Sequence, residues 1–219
     1  MAIGLYDYDV VIFDCDGVLI DINEIKVTAF GEAISDDYQN DIVNAFVDHC
    51  KDSFGISRYV KFREFFNNFA KVPFNEEKYN QYLNIYSKLC FDAYKSAHIT
   101  PGALSLLKEL KQKGKRVYVA SGSDEKELNV IFNLRNINMF FDGIYGSPRT
   151  KSQLVDEILK NDNNSKTIFI GDSYSDMKVA KEYNLDFIYM DKYTLQSLDK
   201  DKKCREYAKG VVETLANLN

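Results

Sequence analysis

Val10-Val11-Ile12-Phe13-Asp14-Cys15-Asp16-Gly17-Val18-Leu19 is the stretch that decides how this chain folds. Its first residues are apolar and mostly β-branched, and they run straight into an acid. A continuous apolar run, unlike an alternating one, suits a strand buried on both faces of a parallel sheet. Gly17 then lets the chain turn away sharply from the strand end. Taken by themselves, the two acids are equally an ordinary Asp-Gly turn after a strand.

Working outward, similar runs recur much later. Arg116–Ala120 ends at Ser121, Thr167–Ile170 ends at Gly171-Asp172, and Phe187–Met190 ends at Asp191. Helical patterns lie between them. Pro101 to Lys113 begins with Pro at an early helical position and stops at Gly114, a good C-cap. Ser123 or Asp124 can cap Glu125 to Asn133, and Lys151 to Lys160 and Ser173 to Tyr183 complete the set. Strand alternating with helix predicts an α/β fold, a doubly wound parallel sheet. Asp201 to Glu206 is charged and reads as a solvated turn or helix.

Residues 22–96 break this rhythm. They hold no convincing strand. Tyr59, Phe62, Phe65, Phe66 and Phe69, then Tyr79, Tyr82, Leu83, Tyr86 and Leu89, recur at helical spacing and predict amphipathic helices with an aromatic core. The expected organisation is a core domain from residues 1–21 and 97–219, interrupted by a helical domain at 22–96.

Composition bounds the function. With 45% hydrophobic and 28% charged residues the 219-residue chain reads as globular, and a net charge of -5 argues against nucleic acid as a partner. No run has the roughly 18 to 20 apolar residues of a membrane helix. Met1 to Asp9 carries Asp7 and Asp9 but no basic residue, which does not suit a signal peptide. Cys15, Cys50, Cys90 and Cys204 are scattered and read as free thiols in a reducing compartment, so a cytoplasmic location is expected.

In an open α/β sheet, ligands bind at the carboxyl ends of the strands. Asp14, Ser121 and Asp172 would converge there, with Lys151 joining from a helix start. Gly171-Asp172-Ser173-Tyr174-Ser175-Asp176 places a second acidic pair, four residues apart, at the start of a helix. Capping by Asp172 is the bland account of that pair. Four carboxylates, from Asp14, Asp16, Asp172 and Asp176, would repel one another around one point. A divalent cation would let them coexist, and Mg²⁺ suits a few carboxylates with substrate oxygen. Lys151, the Ser121 hydroxyl and backbone N–H groups near Gly122 could then hold phosphate oxygens. Each of these also has a plain reading, as a surface lysine and a turn.

These segments together resemble the haloacid dehalogenase superfamily. Its first motif, two Asp residues two positions apart followed by Gly, is matched at Asp14, Asp16 and Gly17. Its second, a Ser or Thr at a strand end, is matched by Ser121. Its third, a Lys, is matched by Lys151. Its fourth, GDxxxD, is matched from Gly171 to Asp176. The helical insertion resembles the cap of the phosphoglycolate phosphatase and β-phosphoglucomutase branch.

The resemblance implies a phosphatase acting on a small phosphorylated metabolite in two steps. Asp14 would be the nucleophile and Asp16 the acid and base. Asp14, the backbone carbonyl of Asp16 and Asp172 would hold Mg²⁺, with Asp176 in the outer shell or bonded to Lys151. Gly55-Ile56-Ser57-Arg58 resembles a cap loop whose Arg contacts the distal part of the substrate, which implies Arg58, and after it Lys61, as substrate contacts. The region from Gly55 to Phe69 faintly resembles phosphatases of bacterial surface-polysaccharide pathways, which implies a sugar phosphate or small alcohol phosphate. The rival readings are a phosphomutase, a dehalogenase and a non-catalytic phosphate-binding protein. Lys26 stands where the mutase branch has its His. A dehalogenase needs neither Asp16 nor the metal set.

Overall fold

The computed structural model describes residues 4–162 and 165–218. A six-stranded, all-parallel sheet runs through it in the order β3-β2-β1-β4-β5-β6. The strands are β1 (Val10–Phe13), β2 (Arg116–Asp124), β3 (Gly143–Ser147), β4 (Thr167–Gly171), β5 (Asp186–Met190) and β6 (Gly210–Val212). β1 is central. Val10 pairs with Arg116 of β2 on one side and with Thr167 of β4 on the other. The chain builds outward from β1 through β2 to β3, then crosses back to β4. This puts the switch point, where such sheets bind ligands, between β1 and β4.

Every residue of β1 is buried because the sheet is covered on both faces. Val11 and Phe13 join one apolar cluster with Val117, Val119, Ile168 and Ile170. Val10 and Ile12 join the other with Tyr118, Phe169 and Phe187. The continuous apolar run is thus two alternating faces, both dry. Helices α7 (Lys151–Asn161), α8 (Tyr174–Glu182) and α9 (Leu198–Tyr207) supply Leu154, Met177 and Cys204 to the second cluster. Helices α5 (Ala103–Gln112) and α6 (Glu125–Leu134) cover the first face. Asp124 caps α6 by accepting from the Glu127 N–H at 3.0 Å.

Between β1 and α5 lie α1 (Asn23–Glu32), α2 (Asn40–Asp52), α3 (Arg58–Glu64), its π-helical continuation Phe65–Ala70, and α4 (Glu76–Ser96). Phe30, Phe46, Phe62, Phe65, Tyr82 and Tyr86 are all buried, with Phe30 and Tyr86 ring centroids 4.2 Å apart. The aromatic spacing does mark helical core. That core is continuous with the cluster on the first face of the sheet, so the helical block closes down on the strands.

Two strands depart from the sequence reading. β3 carries Gly143 and Gly146, which dilute its apolar signal, and β6 is three residues long at the sheet edge. Both are recruited by a neighbour already in place. The charged stretch Asp201 to Glu206 falls within α9. No helix among the described residues is long and apolar enough to cross a membrane.

Candidate active site

β1 ends by delivering Asp14, and β4 ends by delivering Asp172, its neighbour across the switch point. The turn after β1 passes so close to Asp172 that only glycine fits. Gly17 has φ +74°, and a Cβ there would collide with the Asp172 carboxylate and the Asn23 amide. α8 begins at once. Its N-cap is Ser173, whose hydroxyl donates to Asp176 Oδ2 at 2.6 Å and whose N–H donates to the same oxygen at 3.0 Å. Capping therefore falls to Ser173 and Asp176, not to Asp172.

Asp14, Asp172 and Asp176 each present a carboxylate oxygen within 4.8 Å of the others, and all are buried. Lys151, the first residue of α7, reaches in from the other side. Its ammonium donates to Asp14 Oδ2 at 2.9 Å and to Asp176 Oδ1. The second Asp14 oxygen accepts from the Cys15 N–H at 2.7 Å.

The electrostatics match this crowding. Burial pushes the Asp14 carboxyl up to about 7; Lys151 opposes the rise, and Asp176 and Asp16 add to it. Burial, then Asp14 and Asp176, hold the Asp172 carboxyl well above the usual range. Burial disfavours the Lys151 ammonium, yet Asp14 and Asp176 outweigh it and raise the group overall. Asp172 Oδ2 accepts from Asn23 Nδ2 at 2.6 Å, but its Oδ1 is buried with no hydrogen-bond partner. An orphaned carboxylate oxygen beside two more buried carboxylates is a donor set that fits a hard divalent cation.

Asp16 is a correction to the expected convergence of four side chains. Its carboxylate is not part of that group of three but sits among other partners. There Oδ2 accepts from Lys26 Nζ at 2.5 Å and from Ser123 Oγ at 2.7 Å, while Oδ1 accepts from the Tyr94 hydroxyl. Burial alone would raise its pKa; Lys26, with the Ser123 and Tyr94 hydrogen bonds, overcomes that and holds it below the usual carboxylate range. So three carboxylates gather at one point and the fourth faces a separate cationic group.

Ser121 and Gly122 lie on β2, just beyond Val119, the last β2 residue paired with β1. Ser121 is buried, and its hydroxyl oxygen accepts from the Ser123 N–H at 3.2 Å. Gly122 meets the helical block directly, because a Cβ there would strike the carbonyl of Gly55. Gly55, at φ +80°, is itself pressed against the Ser175 hydroxyl. Asp14, Asp16, Lys26, Arg58, Lys61 and Ser123 line a small cavity beside this loop, about 30 Å³. That volume holds water but no phosphate ester.

Arg58 reaches this cavity, but its guanidinium is already held. It donates to Glu127 at 3.0 and 2.5 Å and to Ser87 Oγ at 2.5 Å. The sequence reading missed Glu127, Tyr94, Ser123 and Asn23. Lys26 enters that reading only as the residue standing in place of a His. Asn23 and Tyr94 lie in segments that read as helix, and nothing in their spacing singles them out.

A family model described as haloacid dehalogenase-like hydrolase matches residues 11–190. No curated protein is significantly similar in sequence. Among solved structures, a predicted phosphatase from Clostridium acetobutylicum is 24% identical, with 96% of each chain covered and a TM-score of 0.74. A predicted phosphoglycolate phosphatase from Haemophilus somnus is 14% identical, with 98% of each chain covered and a TM-score of 0.77. CbbY from Rhodobacter sphaeroides, solved in complex with phosphate, is 15% identical over 97% of this chain and 96% of that one, with a TM-score of 0.75. These likenesses establish a shared fold.

Proposed function

The chain belongs to the haloacid dehalogenase-like hydrolases, and from that premise we propose that it is a magnesium-dependent phosphatase of a small phosphorylated metabolite. One observation carries the reading: Asp14, Asp172 and Asp176 present buried oxygens to a single point that Lys151 also reaches.

Asp14 is the nucleophile. A carboxylate oxygen attacks phosphorus, the bond from phosphorus to the leaving oxygen breaks, and the phosphoryl group rests on Asp14. Asp16 gives its proton to the leaving oxygen. Water then attacks the same phosphorus, Asp16 takes the proton from that water, and Asp14 is released with inorganic phosphate. With Lys26, Tyr94 and Ser123 around it, Asp16 is held ionised in the closed state, ready as the base of the second step. For the first step it must take a proton from solvent as substrate enters, and it returns one to solvent after the second step. Lys151 sets a positive charge against the transferring group, and Ser121 and Gly122 supply donors to its oxygens. Asp14 and Asp172, with the Asp16 carbonyl and Asp176 behind them, would hold Mg²⁺. Bound there, the ion neutralises the negative charge that carboxylates and phosphate bring together.

We take residues 22–96 as a cap over this site. The contact of Gly55 with Gly122 supports this, as do polar bonds that join the two parts. Tyr59 donates to Asp124 at 2.7 Å, Lys200 to Asp52 at 2.7 Å, and Arg58 to Glu127. Substrate enters only when these part.

Phosphate release from a panel of phosphorylated metabolites, with and without Mg²⁺, tests the reading. Metal-dependent release that Asp14→Asn lowers by on the order of 10⁴-fold or more is the expected result. Release from no member of the panel overturns it.

A further inference from the structure

Three cations line the small cavity beside Asp14 and Asp16: Lys26, Arg58 and Lys61. All three are buried, at 9%, 5% and 3% exposure. A buried charge is costly unless something compensates it. Lys26 is paired with Asp16, and Arg58 is gripped by Glu127 at two points. Each pair is neutral.

Lys61 differs. Among the described residues no carboxylate comes within 4.0 Å of its ammonium. Its hydrogen bond runs to the Cys50 carbonyl at 3.0 Å. An ammonium has three N–H donors, so donors remain to be used. Two aromatic rings lie beside it, with the Phe30 ring centroid at 4.9 Å and that of Phe54 at 5.5 Å, and Glu64 supports its charge from beyond 4.0 Å. Both rings line the same cavity as the catalytic acids. Burial pushes the ammonium down to about 8, which still leaves it largely charged at neutral pH. The cavity therefore carries a third buried cation that, unlike Lys26 and Arg58, has no carboxylate within 4.0 Å among the described residues.

We propose that Lys61 receives a second anionic group of the substrate, so that the preferred compound is a phosphate monoester that also carries a carboxylate or another phosphate. This rests on the phosphatase reading. The residue that the sequence marks for substrate contact, Arg58, is already satisfied by Glu127. The choice of charge passes to Lys61, one helical turn along α3. A neutral substrate end would leave the ammonium buried and unpaired when the cap closes, and a site so built rejects such a ligand strongly. An anionic end neutralises it.

The test uses three esters of one chain length, ending in a carboxylate, a phosphate or a hydroxyl. For the wild-type enzyme with Mg²⁺, kcat/KM for the better anionic ester should exceed that for the hydroxyl ester by at least about tenfold, the worth of a charged hydrogen bond. Lys61→Met should bring the ratio close to one, and Lys61→Arg should keep it. Lys61→Gln, of nearly the same length, replaces Lys61→Met if the latter does not fold. Equal treatment of the three esters by the wild type overturns the proposal, as does an unchanged ratio in Lys61→Met or Lys61→Gln. Whichever anionic ester leads identifies the group. The same esters are titrated by calorimetry into the Asp14→Asn variant, which needs no turnover. A binding preference without hydrolysis leaves the Lys61 site standing and removes the phosphatase; hydrolysis without a preference does the reverse.

Discussion

Asn23 Nδ2 lies 2.6 Å from Asp172 Oδ2, joining the first residue of α1 to the end of β4. The same amide group donates to the Tyr193 carbonyl at 2.9 Å, so its orientation is fixed from two directions. The bond leaves Asp172 Oδ1 free of partners and fixes where it points. Asn23 thus positions an acid that we assign to the metal.

Asn23→Ala should weaken metal activation about 10- to 100-fold, the usual cost of losing a partner behind a metal ligand. The concentration of Mg²⁺ that gives half-maximal phosphate release measures it. An unchanged Mg²⁺ requirement would remove Asn23 from this role.

Asp16 should matter in proportion to how badly the leaving group needs a proton. Asp16→Ala is expected to slow an alkyl phosphate about 10²- to 10⁴-fold, the range for general acid–base catalysis. The loss should be smaller on p-nitrophenyl phosphate, whose leaving group departs as a stable anion. Equal losses on both substrates would argue that Asp16 does not move a proton in the first step.

Lys26 and Asp16 are a buried pair at 2.5 Å, with side chains 11% and 9% exposed. Lys26→Met should destabilise the fold by about 3–5 kcal/mol, because it strands a buried carboxylate. The double variant Lys26→Met with Asp16→Asn should recover most of that loss. Urea unfolding of the four proteins of the cycle decides it; additive losses would mean that the pair is not coupled.

Lys61 should act on stability in the opposite sense. Its folded-state pKa, about 8, lies below the ordinary lysine value of 10.5, so folding disfavours the charged form. The groups around it are Cys50 and Glu64, which support the charge, and Lys26 and Lys200, which oppose it. The penalty is complete below pH 8, shrinks as pH rises from 8 and vanishes above 10.5. At about 1.4 kcal/mol per pKa unit it amounts to roughly 3 kcal/mol as an upper figure. Lys61→Met should therefore unfold at a higher temperature than the wild type at pH 7, and the gap should narrow as the pH passes 8. A variant less stable at pH 7 would mean that Lys61 is not held as a buried, unpaired charge.

Much of the fold was legible from β1 outward. Four buried strands, their helices and the helical block follow from apolar runs and aromatic spacing, because burial on two faces or on one stripe leaves a local pattern. β3 and β6 leave none, since neighbouring strands hold them in place. At the site, Asp14, Asp172, Asp176 and Lys151 could be picked out because each sits where an element begins or ends, and the structure brings them together. The direction of the Asp16 side chain could not, since it depends on Lys26, Tyr94 and Ser123, which come from α1, α4 and β2.

The sequence by itself determined the doubly wound sheet and the family, because strand patterns and four short motifs are local properties of the chain. Only the tertiary structure decided which charges are already compensated. Pairing at a few ångströms joins residues from distant elements, such as Arg58 with Glu127, and spacing along the chain does not encode it. That is why Arg58, conspicuous in the sequence, is occupied, and Lys61 is the cation left to meet a ligand.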